Sequence, residues 1–201
     1  MSTPTFPKLD PADPGFWDAR YEARFAPWDA GRVPADLRRF VLERAAPLRT
    51  LVPGCGSAWD VRFLAERGWD VLGIDFSAQA VQAARDILGP HAERVRRADV
   101  FSPIAEAPFD LVYERAFLCA LPRRLWRDWG RRVAQLVPAG GLLAGYFYFD
   151  AGDRGPPFPL HGEGELAELL EPSFIRTDDR PVSDSIPVFA GHERWQVWRR
   201  Q

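Results

Sequence analysis

Nowhere in its 201 residues does the chain carry an apolar run of the roughly 18–20 residues that a membrane span needs. Its opening, MSTPTFPKLDPADPGFW, is rich in Pro and Asp and lacks the apolar segment of a secretory signal. It has two cysteines, Cys55 and Cys119, too few for a disulfide framework and without metal-ligand spacing, so no metal is expected. A reducing cytoplasmic setting is the corresponding expectation. Charge of one sign is also missing. The net charge is −2, and the pairs Arg38-Arg39, Arg96-Arg97, Arg123-Arg124 and Arg131-Arg132 are scattered. They read as solvated faces, and no nucleic-acid partner is expected. No Gly-Lys-Ser/Thr triplet is present, which excludes a P-loop. There is no evident Ser-His-Asp set; His91, His161 and His192 are dispersed. Internal repeats and low-complexity tracts are absent too. What is left is an ordinary globular composition, 46% hydrophobic and 27% charged, for which one domain is the simplest reading.

The informative stretch runs from Leu51 to Ser77, LVPGCGSAWDVRFLAERGWDVLGIDFS. It reads as a buried strand, a glycine turn, a helix, and a second strand ending in Asp75. Gly54 and Gly56 let a ligand approach the backbone where a Cβ would block it. Asp75 follows Gly54 by 21 residues. That matches the interval of roughly 20 between the glycines of a nucleotide-binding βαβ unit and its ribose-binding carboxylate. An ionised carboxylate there can accept from both ribose hydroxyls. The third glycine of a dinucleotide fingerprint is replaced by Trp59, which argues against NAD. The P-G-C-G-S turn offers few phosphate donors and leaves room for an amino-acid moiety.

Strands alternate with helices, the signature of a parallel sheet covered on both faces. The pattern predicts strands near Arg49–Pro53, Asp70–Asp75, Arg94–Ala98, Phe109–Glu114 and Gly141–Phe149. It predicts helices near Ala35–Ala46, Ala58–Arg67, Ala78–Leu88 and Arg123–Val137. Ser77 is the expected N-cap of the third helix, and Gly68 the C-terminal glycine of the second. After a Gly/Pro loop at 150–159 come one short helix, Glu163–Leu170, and two strands near Phe174–Arg180 and His192–Arg199. Such a last pair suits an antiparallel hairpin at a sheet edge. The expected fold class is α/β, Rossmann-like, with a mostly parallel seven-stranded sheet.

Six blocks in order carry a family resemblance. They are Phe16-Trp17-Asp18; Ala26-Pro27-Trp28-Asp29-Ala30-Gly31; Leu51 through Ser57; Gly73 through Ser77; Tyr113 through Leu121; and Gly155-Pro156-Pro157-Phe158-Pro159. Together they resemble the thiopurine S-methyltransferase family of class I S-adenosylmethionine-dependent methyltransferases, especially its thiol and halide branch. The resemblance implies S-adenosylmethionine as cofactor, S-adenosylhomocysteine as product, and a small-molecule methyl acceptor. It implies that Trp17 and Trp28 close over the site and that Gly54, with Gly56 in the same turn, faces the methionine part. Asp75 would hold the ribose, Phe76 would stack near the adenine, and Asp99 with Val100 would lie beside it. Glu114 and Arg115, where the thiopurine branch has Asp-Arg, would meet the acceptor. Within one domain, 1–201, residues 1–34 would form a cover on a core of 35–201. The Pro loop at 155–159 is a candidate lid through Phe158, and a monomer is expected.

Independently of family, the ends of parallel strands are where open α/β sheets bind ligands. Gly54–Ser57, Asp75, Asp99 and Glu114–Arg115 all follow predicted strands, so topology gathers them at one edge. The expected reaction is methyl transfer to a small soft nucleophile, a thiol or thiopurine-like heterocycle, with halide and thiocyanate also in range. Transfer from a sulfonium to such an acceptor needs positioning and desolvation more than a base. A small-molecule N- or O-methyltransferase of the same fold is the alternative. A non-catalytic binding module is disfavoured by the intact Gly54, Gly56, Asp75 and Arg115.

Overall fold

The computed structural model describes residues 4–171 and 173–201; Met1–Thr3 of the expected cover segment lie outside them. Seven strands form one sheet: β1 Thr50–Pro53, β2 Val71–Asp75, β3 Val95–Arg97, β4 Leu111–Arg115, β5 Leu142–Tyr148, β6 Phe174–Pro181 and β7 Glu193–Arg200. Their order is β3-β2-β1-β4-β5-β7-β6. The first five pair in parallel, while β7 runs antiparallel to both β5 and β6. The closing hairpin therefore inserts its last strand beside β5 and leaves β6 at the edge. The order reverses at β1, so the ends of β1 and β4 flank the switch point where ligands bind.

Six α-helices accompany the sheet: α1 Pro14–Glu22, α2 Ala35–Leu42, α3 Trp59–Ala65, α4 Ala78–Leu88, α5 Trp126–Leu136 and α6 Glu163–Leu170. Alternate residues along the strands feed two cores. Leu51, Val112, Leu143 and Trp198 join α5 and α6 on one face. Val52, Tyr113, Ala144 and Val197 join α2, α3 and α4 on the other. A period of two makes this division automatic in a sheet buried on both sides.

Several boundaries differ from the sequence expectation, each for a local reason. Ala58 sits in the left-handed region (φ +60°), so α3 begins one residue later, at Trp59. It closes at Gly68 (φ +75°), where Trp69 N donates back to Leu64 O in the manner of a Schellman turn. The expected helix over 123–137 divides into a 3-10 turn, Arg123–Leu125, and α5. The α2 helix stops at Leu42, short of Ala46. Helix α1 was not anticipated. Asp13 caps it by accepting from Gly15 N, and Pro14 stands at its first position. The Ser77 cap forms as expected, with Oγ accepting from Ala80 N at 3.0 Å.

Candidate active site

One large cavity, about 830 Å³, opens at the C-terminal ends of β1, β2 and β4. Its walls include Trp17, Trp28, Gly54, Gly56, Asp75, Phe76, Asp99, Val100 and Arg115. Residues separated by almost a hundred positions in sequence thus meet at one sheet edge. Glu114 is the exception among the anticipated residues. Adjacent strand residues point to opposite faces, and Glu114 turns away from Arg115 into the α5-side core. There its Oε1 accepts from Phe117 N at 2.8 Å and Leu118 N at 3.1 Å, fixing the loop after β4. Burial pushes its carboxyl up to about 7 against those two bonds.

The glycine turn is shaped for close approach. Gly54 and Gly56 both have positive φ, +57° and +52°. A Cβ on Gly54 would collide with the Phe117 ring, and one on Gly56 would lie 2.7 Å from the Tyr21 hydroxyl. Substitution would therefore both strain the backbone and fill the site.

Asp75 is 9% exposed. Its Oδ1 accepts from Ser77 N at 2.9 Å and its Oδ2 from Gly56 N at 3.1 Å. A carboxylate has about four acceptor positions, so roughly one remains on each oxygen for the two hydroxyls of a ribose. Burial pushes this carboxyl up to about 6, and the backbone bonds from Ser77 and Gly56 oppose the rise. Asp99 is different: it is exposed, and its Oδ1 accepts from Phe101 N at 3.0 Å within its own turn. Val100 is buried beside it.

The segment ahead of the sheet supplies the aromatic wall. Trp17 and Trp28 meet edge to face, centroids 5.4 Å apart, and Trp28 also meets Tyr21 at 6.1 Å. Trp17 Nε1 donates to Pro11 O at 2.8 Å. Asp18 ties the segment to the site, accepting from Ser77 Oγ at 2.6 Å and Gln79 N at 3.1 Å. Tyr21 carried no sequence signal beyond lying between the two tryptophans, and Asp18 none beyond its place in the Phe16-Trp17-Asp18 block.

Arg115 donates to Glu193 Oε1 at 2.6 Å, a pair with side chains 14% and 3% exposed. Its guanidinium lies 4.4 Å from the centre of the Tyr146 ring. Burial opposes its charge, but Glu193, Tyr113 and Asp60 outweigh that and raise its pKa. Beyond it the wall turns apolar, with Phe117, Leu121, Val188 and Phe189. Of the Pro loop, Pro156 and Pro157 reach this wall. Phe158, expected at the rim, instead packs on the α5-side core, its N–H donating to Cys119 O at 2.6 Å.

The thiopurine S-methyltransferase family profile matches residues 12–201. The chain belongs to that family. A thiopurine S-methyltransferase of Shewanella pealeana is 34% identical over 202 residues, covering 90% of this chain and 92% of its own. Thiocyanate methyltransferase 1 of Arabidopsis thaliana is 29% identical over 195 residues, covering 92% and 85%. Among solved structures, Burkholderia thailandensis 1,6-didemethyltoxoflavin-N1-methyltransferase, with S-adenosylhomocysteine bound, superposes with a TM-score of 0.72. It is 21% identical, covering 98% of this chain and 93% of its own, a likeness of fold. The protein is thus an S-adenosylmethionine-dependent methyltransferase with the Rossmann-like fold its sequence pattern implies. Its site fits that cofactor: two Cβ-free positions in the turn, a buried carboxylate with spare acceptor capacity, and aromatic rings around the opening. No described helix is long and apolar enough to cross a membrane.

Proposed function

We propose that this methyltransferase acts on the sulfur of a small thiol or thione-bearing heterocycle. The observation that carries the reading is the meeting of two unlike walls. The Phe117 ring packs directly against Gly54, so the apolar chamber of Phe117, Leu121 and Phe189 adjoins the cofactor turn. When bound, S-adenosylmethionine supplies a methyl group already activated by the sulfonium charge. The chain's part is to bind, orient and exclude water. Asp75 holds the ribose; Trp17 and Trp28 cover the opening; Phe76, Asp99 and Val100 border the adenine. An apolar wall strips water from a soft nucleophile cheaply, and positioning then supplies much of the rate.

Arg115, held charged by Glu193, orients an anionic acceptor from the edge of that wall. A second role has a specific observation behind it. Arg115 lines the same cavity as Gly54, Gly56 and Asp60, so its guanidinium is available to the glycine-turn side as well. There it would meet the carboxylate of the cofactor's amino-acid tail. Binding and turnover measured on one variant separate the two roles, as set out below. A nitrogen or oxygen acceptor is the other reading of the chemistry, supported by the N1-methyltransferase superposition. The protein is further read as a cytoplasmic monomer with small-molecule partners and no nucleic acid, from its net charge of −2 and its two unpaired cysteines. Residues 1–34 are read as a cover segment on one domain.

The test is methyl transfer from labelled S-adenosylmethionine across thiols, thiopurines, iodide, thiocyanate and selenite, with phenols and amines as controls. Label on sulfur acceptors above all others supports the reading. Label confined to amines or phenols replaces it with the N- or O-directed one.

A further inference from the structure

Asp60 is a half-buried carboxylate without an assigned purpose. It stands in the first turn of α3, three residues past the glycine turn, and lines the same cavity as Gly54, Gly56 and Asp75. Its Oδ1 is shut off from solvent and, among the described residues, has no well-formed hydrogen bond. That sets it apart from Asp75, both of whose oxygens accept backbone N–H groups. The Tyr113 hydroxyl, likewise without a well-formed hydrogen bond, lies beside Asp60 as a neutral donor that brings no charge.

An ionised carboxylate out of water is costly unless a donor or a cation meets it. The neighbouring cation makes no hydrogen bond to it: Arg115 Nη1 donates to Glu193 at 2.6 Å instead. With no such partner, burial pushes the Asp60 carboxyl up to about 6; Arg115, Tyr113 and Arg38 pull against the rise and Asp29 adds to it. The missing counter-charge is therefore expected from a ligand. S-adenosylmethionine carries two positive centres. The sulfonium has no hydrogen to donate, whereas the α-ammonium, like that of lysine, has three. The Asp60 carboxylate on the cavity wall is matched by the second.

We propose that Asp60 receives the α-ammonium group of the cofactor's amino-acid tail. The proposal rests on Asp75 holding the ribose, because that orientation runs the tail along Gly54–Ser57 toward α3. It makes Asp60 a binding residue that selects the full amino-acid cofactor over its fragments. The rival role is a base that removes the proton of a thiol acceptor, and the test separates the two.

The experiment is calorimetric titration of the parent and Asp60→Asn with three ligands. They are S-adenosylhomocysteine, its analogue lacking the α-amino group, and 5′-methylthioadenosine, which lacks the whole tail. The parent should bind S-adenosylhomocysteine at least about 10-fold more tightly than the desamino analogue. In Asp60→Asn that ratio should collapse to within about 3-fold, while methylthioadenosine affinity changes by less than about 3-fold. A parent that binds the two tailed ligands equally overturns the proposal whatever the variant does. So does a ratio that survives in Asp60→Asn, or an equal loss for all three ligands, which would make Asp60 a support of the fold. If Asp60→Asn does not fold, Asp60→Ser takes its place, and the comparison within the parent still decides. Unchanged binding with a lowered kcat and a displaced pH profile would assign the base instead. Failure of the ribose reading is distinguishable: methylthioadenosine would then bind Asp75→Ala as well as it binds the parent.

Discussion

The exposed charges of the closing hairpin and the acids around the strand ends are arranged by opposite rules. On β6 and β7, Arg176, Arg180 and Arg194 interleave with Asp178 and Asp179, and with Glu163 of α6, at 2.7–3.9 Å. All are at least partly exposed, and every partner is within the protein. Such pairs add little stability and serve register and solubility. Around the strand ends, Asp75 and Glu114 are buried and Asp60 of α3 is half-buried, and desolvation pushes their carboxyls up to about 6, 7 and 6. Asp60 and Glu114 each keep an oxygen without a partner. Folding alone does not favour this. The difference teaches where a ligand completes the structure: at an unpartnered acid on the cavity wall, as Asp60 is, and not at one turned into the core, as Glu114 is.

The comparison is broken most severely at Asp75. Asp75→Ala should weaken S-adenosylhomocysteine binding by about 1.5–3 kcal/mol through lost charged hydrogen bonds. Calorimetry on a variant that keeps the parent's circular dichroism checks this, and unchanged affinity would remove Asp75 from the ribose. Arg115 comes next. Alanine there would strand Glu193 in the interior, at a cost of about 3–5 kcal/mol to the fold. Arg115→Lys keeps the charge and loses the fork. It should lower kcat/KM for the acceptor by roughly 10-fold while the cofactor Kd moves less than about 3-fold. A matching loss of cofactor affinity would place Arg115 on the cofactor's carboxylate.

The N-terminal wall gives a smaller effect. Residues 10–31 should exchange amide hydrogens more slowly once S-adenosylhomocysteine is added, because Trp17 and Trp28 line its cavity. Equal exchange with and without ligand would make the segment a static part of the fold. The smallest change is expected on the hairpin. Arg194→Ala breaks a pair with Asp179 at 2.7 Å yet should alter stability by only about 0.5 kcal/mol and cofactor affinity not at all. A large effect at either would undo the contrast between the two regions.

The parts of the site written in contiguous sequence were legible before the fold was known. Apolar runs fixed β1 and β2, the turn glycines fell between them, and the interval to Asp75 followed. Helix α1 escaped because it lacks an apolar stripe: only Phe16 is buried along its length. Its start signals, Asp13 before Pro14, were present but sat in a stretch read only as a cover segment. Reading Glu114 and Arg115 as one unit overlooked strand alternation, which sends neighbours to opposite faces. Asp60 looked like an ordinary first-turn acid, and only burial reveals it. Val188 and Phe189 reach the cavity from the loop between β6 and β7, a placement that depends on the hairpin's register.

The most direct test follows one protein across pH 5–8 in two ways, thermal stability without ligand and affinity for S-adenosylhomocysteine. Asp60, Asp75 and Glu114 have folded pKa values raised above their ordinary ones, so each protonates more readily folded than unfolded. Their stabilising contribution is full below pH 4 or so and is lost as pH rises through about 6–7. Groups shifted the other way, Asp10, Glu66, Glu106, Asp150 and Asp184, titrate below this window. Stability should therefore fall with rising pH, by less in Glu114→Gln. Cofactor affinity should rise over the same range, as Asp60 and Asp75 become the anions the ligand meets. Opposite slopes support the account; slopes of the same sign, or a flat affinity, would contradict it.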